Sequence, residues 1–340
     1  PKPDGTPPNN WLSIFGGSAW QWDSRRKQYY LHNFLASQPD VNMHNTEARQ
    51  AVLNNIEFWL KRGVDGFRLD AINYCMHDKL LRDNPPRPEF ELGVAGFSSD
   101  NPYAYQYHTY STTRPENISF IEEIRQLTNR YSNRATLGEI GADDSLATMA
   151  QYTQGESRLN MAYSFELLNE NFTVTYIRET IEKLEQQIGD GWPCWALGNH
   201  DVARVLTRWG KHDASDNLAK TLTAMVCSLR GSVCLYQGEE LGLTEAELSF
   251  EQLQDPYGIE FWPKFKGRDG CRTPMPWQKS VENGGFSTAN SWLPVVDEHH
   301  ARAVDVQHQC DYSILNVFRQ FMGWRKQQPA LIYGDISFID

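Results

Sequence analysis

The sequence has no apolar run approaching the roughly 20 residues that cross a bilayer. It is also short of cations. Against 43 Asp and Glu stand 32 Lys and Arg, for a formal net charge of −11. A nucleic-acid or anionic-membrane partner needs a basic surface, so neither is expected. No CxxC pair occurs among Cys75, Cys194, Cys227, Cys234, Cys271 and Cys310. Their spacing suits no zinc site, and no metal is expected. They read instead as buried thiols of a cytoplasmic protein. No short repeat, low-complexity tract or flexible Gly/Ser linker divides the chain. It opens Pro1-Lys2-Pro3-Asp4, without Met or a signal-peptide pattern.

What is there is enough for a large core. A chain of about 300 residues buries roughly 75% of its unfolded surface and needs no covalent staples. Aromatic residues make up 12% of the chain, which suits a site that stacks flat apolar faces. Residues 1–45 are rich in Pro, Gly, Asn and Trp and lack helical periodicity, which predicts a long ordered loop or a small irregular domain. Then an alternation sets in. Asn45 or Thr46 caps a helix with Val52, Ile56 and Trp59 at i, i+4, i+7, ended by Gly63. The apolar run 64–70 reads as a strand. Further helical stripes fall at 118–127, 143–152, 172–188 and 218–229, with strands at 135–139, 159–166, 193–198 and 232–237. A last helix is expected near 311–325. Alternating helices and short apolar strands imply an α/β fold with a parallel sheet. About 45 residues after Asp70 and about 70 after Gln237 lack periodicity, as lids or walls of a site do.

Three strands end in an acid: Gly66-Phe67-Arg68-Leu69-Asp70, Leu137-Gly138-Glu139, and the strand leading into Gly198-Asn199-His200-Asp201. At the carboxyl ends of parallel strands such side chains converge on the ligand face. Period two puts Arg68 and Asp70 on one face, where the cation keeps the carboxylate ionised, as a nucleophile requires. Glu139 has apolar and Gly neighbours and no basic residue within four positions, so its pKa is expected to rise, as a general acid requires. One ionised and one protonated carboxyl is the arrangement that breaks glycosidic bonds. From pattern alone, a metal site built from the same acids, or caps and salt bridges, stay open.

At these residues the sequence resembles the α-amylase superfamily of glycoside hydrolases, and within it the α-glucosidase and oligo-1,6-glucosidase branch. The matching motifs occur in the family's order. They are Gln38-Pro39-Asp40-Val41-Asn42, Gly66-Phe67-Arg68-Leu69-Asp70-Ala71-Ile72-Asn73, Gly138-Glu139, Gly198-Asn199-His200-Asp201, Tyr236-Gln237-Gly238-Glu239-Glu240 and Arg268-Asp269-Gly270-Cys271-Arg272-Thr273-Pro274-Met275-Pro276-Trp277. The resemblance implies a (β/α)8 barrel and a retaining double displacement. It makes Asp70 the nucleophile, Glu139 the general acid/base and Asp201 the stabiliser of the distorted sugar. Arg68, His200 and Arg268 would hold the glucose, and Phe15 and Phe34 would form an aromatic wall. Arg272 and Trp277 are expected to be structural, and His299, His300 and His308 to sit in a solvated loop.

The family's Asp-x-x-x-Asn-His motif, near its third strand, has no counterpart here, and five strands are three too few for a barrel. The resemblance therefore implies an internal stretch of a longer protein. Residues 1–45 would end a loop domain inserted after barrel strand three, 46–330 would carry strands four to eight, and 331–340 would begin a C-terminal β domain. No cofactor is implied, and the family's calcium site would lie upstream. The implied activity is an exo-acting α-glucosidase on small neutral oligosaccharides. In the branch this sequence resembles, Thr after the nucleophile goes with α-1,4 and Val with α-1,6 preference. Ala71 is neither, and α-1,4 is the expectation. An oligo-1,6-glucosidase, a glucosyl transferase and a sucrose isomerase of the same family stay open. From another class, so does a non-catalytic accessory subunit, although all three carboxylates persist and no anchor is visible.

Overall fold

The structure, a computed structural model, describes residues 1–88 and 101–339. Residues 89–100, part of the connection after Asp70, and Asp340 lie outside the described residues. Two compact units are present: Pro1–Glu166 with Lys183–Pro193, and Leu167–Glu182 with Cys194–Asp340.

In the first unit the N-terminal stretch is more regular than its composition suggests. Strands β1 (Trp20–Asp23) and β2 (Gln28–Leu31) pair antiparallel, Trp20 opposite Leu31. The turn between them carries Arg25, Arg26 and Lys27, the last at φ 52, and this polar tip hides the short alternation on either side. Trp11, Ala19 and Leu31 form a small buried cluster. Helix α1 (Thr46–Lys61) begins where Asn45 accepts hydrogen bonds from the N–H groups of Glu47 and Ala48. Its buried line runs through Ile56 and Leu60, whereas Trp59 is half exposed. Each residue advances an α-helix by about 100°, which puts Trp59 about a quarter-turn off that line. There it meets Phe58 edge to face, with Arg62 over its ring.

Strand β3 (Gly66–Leu69), helix α2 (Asn117–Thr128), β4 (Ala135–Ile140), helix α3 (Ser145–Thr153) and β5 (Met161–Ser164) follow. The three strands form a parallel sheet in the order β3-β4-β5. Helix α2 buries Ile121, Ile124 and Leu127 of the stripe expected from Ile118 on, with Phe120 buried in place of the half-buried Ile118. Gly138 is tightly packed: a Cβ there would lie 2.6 Å from Leu159 and 3.2 Å from Ile72.

Helix α4 (Val174–Ile188) buries Ile177, Ile181, Leu184 and Ile188. Phe172 precedes it and stacks on Trp209 at 4.8 Å instead of joining its stripe. In the second unit β6 (Cys194–Trp195), helix α5 (Val205–Gly210), helix α6 (Asp216–Ser228) and β7 (Ser232–Val233) follow one another. The two strands pair in parallel and are shorter than their apolar runs. Beyond Val233 the chain turns through Gly238 at φ 97. Short helices α7 (Pro256–Phe261), α8 (Asp297–Ala301) and α9 (Val304–His308) interrupt the long connection that follows. Helix α10 (Ile314–Arg325), capped by Ser313, and α11 (Pro329–Tyr333) end the unit. The buried Arg325 donates to the carbonyls of Cys227 and Gly231, tying α10 to the end of α6.

The five expected parallel strands are thus all present, but in sheets of three and two, and no closed barrel occurs among the described residues. Two further expectations need correction. Of the six cysteines Cys194, Cys227 and Cys271 are buried, whereas Cys75 and Cys234 are half-buried and Cys310 is exposed, although all six are free as expected. His299 is fully buried, not solvated: its ring nitrogens meet the Thr244 carbonyl at 2.8 Å and the Thr273 hydroxyl at 3.3 Å. No metal-binding group of His, Cys, Asp or Glu occurs among the described residues. Nor is any described helix long and apolar enough to cross a membrane.

Candidate active site

The parallel register of the first unit assembles one half of the expected constellation. Arg68 pairs with Leu137, and Glu139 pairs with Tyr163. Paired residues in a parallel sheet face the same side and side chains alternate, so Arg68, Glu139 and Tyr163 share one face. Asp70, one step beyond β3, joins them. Arg68 Nη1 lies 2.5 Å from Asp70 Oδ1, and its Nη2 lies 2.9 Å from Glu139 Oε1. One guanidinium therefore bridges both carboxyls.

The two carboxyls differ in surroundings. The Asp70 side chain is 71% exposed, whereas that of Glu139 is 7% exposed. Burial, and then a hydrogen bond with the Asp70 carboxyl, raise the pKa of Glu139 to about 7, against the pull of Arg68. Burial alone would lower the pKa of Arg68, but its bonds to Tyr163 and Asp70 and the charge of Glu139 outweigh that and hold it above its ordinary value. Ala71 turns the chain sharply after Asp70, at φ 41 and ψ 44, and its N–H donates to Glu139 Oε2 at 3.2 Å. That contact makes the left-handed turn part of the site.

Phe15 and Phe34 do come together, with ring centroids 6.2 Å apart, and Phe34 packs on Tyr74 at 5.5 Å. Tyr74 is held above its ordinary pKa by burial and, more weakly, by the charges of Asp143 and Glu139, and its hydroxyl bonds that of Tyr103.

The second unit holds a cluster of its own. Asp201 Oδ1 accepts from Arg268 Nη1 at 2.9 Å and from Arg272 Nη2 at 2.8 Å, and Oδ2 lies 3.3 Å from His200 Nε2. Asp255, fully buried, grips Arg268 through its backbone N–H, Nε and Nη2. Burial would raise the pKa of Asp255, but these bonds and the charge of Arg268 outweigh it and hold the carboxyl below its ordinary range. The loop itself is braced by Asp269 Oδ2, which accepts from the N–H groups of Gln254 and Asp255.

The structure thus joins Asp70, Glu139 and Arg68 in one cluster, and Asp201, His200 and Arg268 in another. The sequence reading missed Tyr163, Asp255 and the role of Arg272. Tyr163 was open to discovery, because a polar ring directly opposite Glu139 follows once the register is fixed. Asp255 lies in an aperiodic loop and leaves no such signal. Arg272, expected to be structural, is an ion-pair partner of Asp201.

The sequence matches the α-amylase catalytic-domain family over residues 1–334. The chain belongs to that family. It is similar to a probable α-glucosidase of Rhizobium meliloti, with 50% identity over all of this chain and 62% of that protein. An oligo-1,6-glucosidase of Heyndrickxia coagulans is 33% identical over 87% of this chain and 57% of its own length. Among solved structures, the α-glucosyl transfer enzyme XgtA superposes with a TM-score of 0.97 at 58% identity, over 100% of this chain and 63% of that one. The trehalulose synthase MutB of Pseudomonas mesoacidophila superposes with a TM-score of 0.84 at 27% identity, over 99% of this chain and 64% of that one. The chain therefore spans about three-fifths of the length of these family members.

Proposed function

We propose that the protein containing this chain is a retaining, exo-acting α-glucosidase acting on short neutral α-glucosides, with an α-1,4 preference. One observation carries the reading: an exposed Asp70 and a buried, proton-holding Glu139 share one arginine on one sheet face. Asp70 attacks the anomeric carbon while Glu139 protonates the departing glycosidic oxygen, so the C–O bond breaks and a glycosyl ester forms. Glu139, now a carboxylate, takes a proton from water. That water attacks the same carbon and releases Asp70. The family's motifs give Asp201 the stabilisation of the distorted sugar and give His200 and Arg268 the holding of glucose. In the same reading β3 to β7 are strands four to eight of a (β/α)8 barrel, and the protein is cytoplasmic and needs no cofactor.

The test is proton NMR of maltose cleavage by the full-length protein. Release of α-glucose first supports retention, and release of β-glucose first overturns the double displacement. A second reading, glucosyl transfer to a sugar hydroxyl in place of water, is favoured by the 58% identity to an α-glucosyl transfer enzyme. Trisaccharide accumulation at high maltose concentration distinguishes it.

A further inference from the structure

Tyr163 belongs to no motif of the sequence, yet its hydroxyl occupies the centre of the first cluster. It accepts from Arg68 Nη2 at 2.9 Å and donates to Glu139 Oε1 at 3.1 Å. The same Nη2 lies 2.9 Å from that Oε1, so the three atoms close a triangle. Arg68 has only hydrogens to give. The Tyr163 proton is therefore directed at Glu139 Oε1, which receives two donors. The residue is 2% exposed and sits directly opposite Glu139 in the sheet register, so its hydroxyl has little freedom to turn elsewhere.

We propose that Tyr163 is a positioning residue that fixes which oxygen of Glu139 carries the catalytic proton. With Oε1 held as an acceptor by Arg68 and Tyr163, a proton on Oε1 would meet two donor hydrogens. The proton is confined to Oε2, whose protein donor is the longer 3.2 Å contact from the Ala71 N–H. Oε2 is thus the atom that hands a proton to the leaving oxygen and later takes one from water. The groups that bear on Glu139 are Arg68 and Asp70 on β3 and its end, Tyr163 on β5, and Tyr74 beyond the turn. Tyr163 is the neutral donor of this set that directly contacts the carboxyl. Phenylalanine would keep its ring and remove that bond together with the one the hydroxyl accepts from Arg68.

The inference rests on the α-glucosidase reading, and two substrates separate the two. Maltose needs a proton on its leaving oxygen, whereas p-nitrophenyl α-glucoside leaves as a stabilised phenolate and depends far less on the acid. In full-length Tyr163→Phe we expect kcat/KM on maltose to fall about tenfold, the worth of one hydrogen bond to a charged group. On the aryl glucoside the fall should be less than about threefold, under half the energy of that bond. The alkaline limb of the maltose profile should move upward, because a donor that favours ionised Glu139 is gone. A variant that loses both substrates equally, or whose alkaline limb stays in place, overturns the proposal. Should the variant not fold, 3,5-difluorotyrosine at position 163 makes the donor stronger. It must then move the limb downward, and an unmoved limb overturns the proposal. Wild-type protein inert on both substrates would remove the α-glucosidase reading itself.

Discussion

The two clusters use the same side chains to opposite effect. In the first, two carboxyls share one arginine, and one of those carboxyls is buried. Its formal charges sum to −1 unless Glu139 keeps a proton. In the second, Asp201 and Asp255 face Arg268 and Arg272, and the charges sum to zero with every carboxyl ionised. A deficit of cations beside a buried acid makes a proton donor, and a full complement makes a rigid electrostatic frame. The number of arginines per carboxyl therefore separates the cluster whose buried acid has a raised pKa from the one whose carboxylates are matched by arginines.

The comparison breaks most severely at Asp70. Asp70→Ala removes the proposed nucleophile, and maltose turnover by the full-length protein should fall by more than about 10³-fold. Near-normal turnover would falsify the assignment. Glu139→Gln should cost about 10²–10⁴-fold on maltose, the range of general acid–base catalysis. It also sharpens the contrast through stability. Glu139 has a folded pKa of about 7, above the ordinary 4.5, so its proton stabilises the folded state below about pH 4.5 and that contribution is lost as the pH rises through 7. Glu139→Gln should therefore melt higher than wild type at pH 8, with the gap closing towards pH 5. Calorimetry at both pH values checks the sign.

In the second cluster Asp255→Asn removes one anion and loosens the grip on Arg268, so kcat/KM on maltose should fall about tenfold. An unchanged value would mean that Arg268 keeps its place without the fork. The smallest effect is a shift in profile. Arg68→Met removes a cation that lowers the pKa of Glu139, so the alkaline limb should rise in those variants that stay folded. A limb that falls would reverse the charge argument for the first cluster.

What could be read in advance follows from the range of each signal. The alternation of α1 to β5 and the pairing of Arg68 with Asp70 arise from local periodicity, and the sequence displays local periodicity directly. Tyr163 acts across a register that only strand pairing defines. Asp255 reaches Arg268 from a loop with no repeat. Trp59 was placed on the wrong face because two positions around a helix differ by less than a turn, and neighbouring packing decides which one is buried. His299 sits in an aperiodic segment whose hydrogen-bond partners, Thr244 and Thr273, lie far away in sequence. Strand β6 was read too long because an apolar run marks burial, and residues 196–198 stay buried after the ladder stops; beyond β7 the apolar run 234–236 is only half-buried.

The turn at Ala71 carries a consequence for chirality. Its φ of 41 lies in the half of conformational space that L-residues avoid and D-residues favour. The N–H that reaches Glu139 is aimed by that handedness and not by any side chain. A D-alanine introduced there by chemical ligation would keep the amide in place with its backbone relaxed. Glycine would keep it at little cost, and a β-branched L-residue would bear more strain than alanine. Position 71 is therefore constrained first by the hand of its backbone and only then by the size of its side chain.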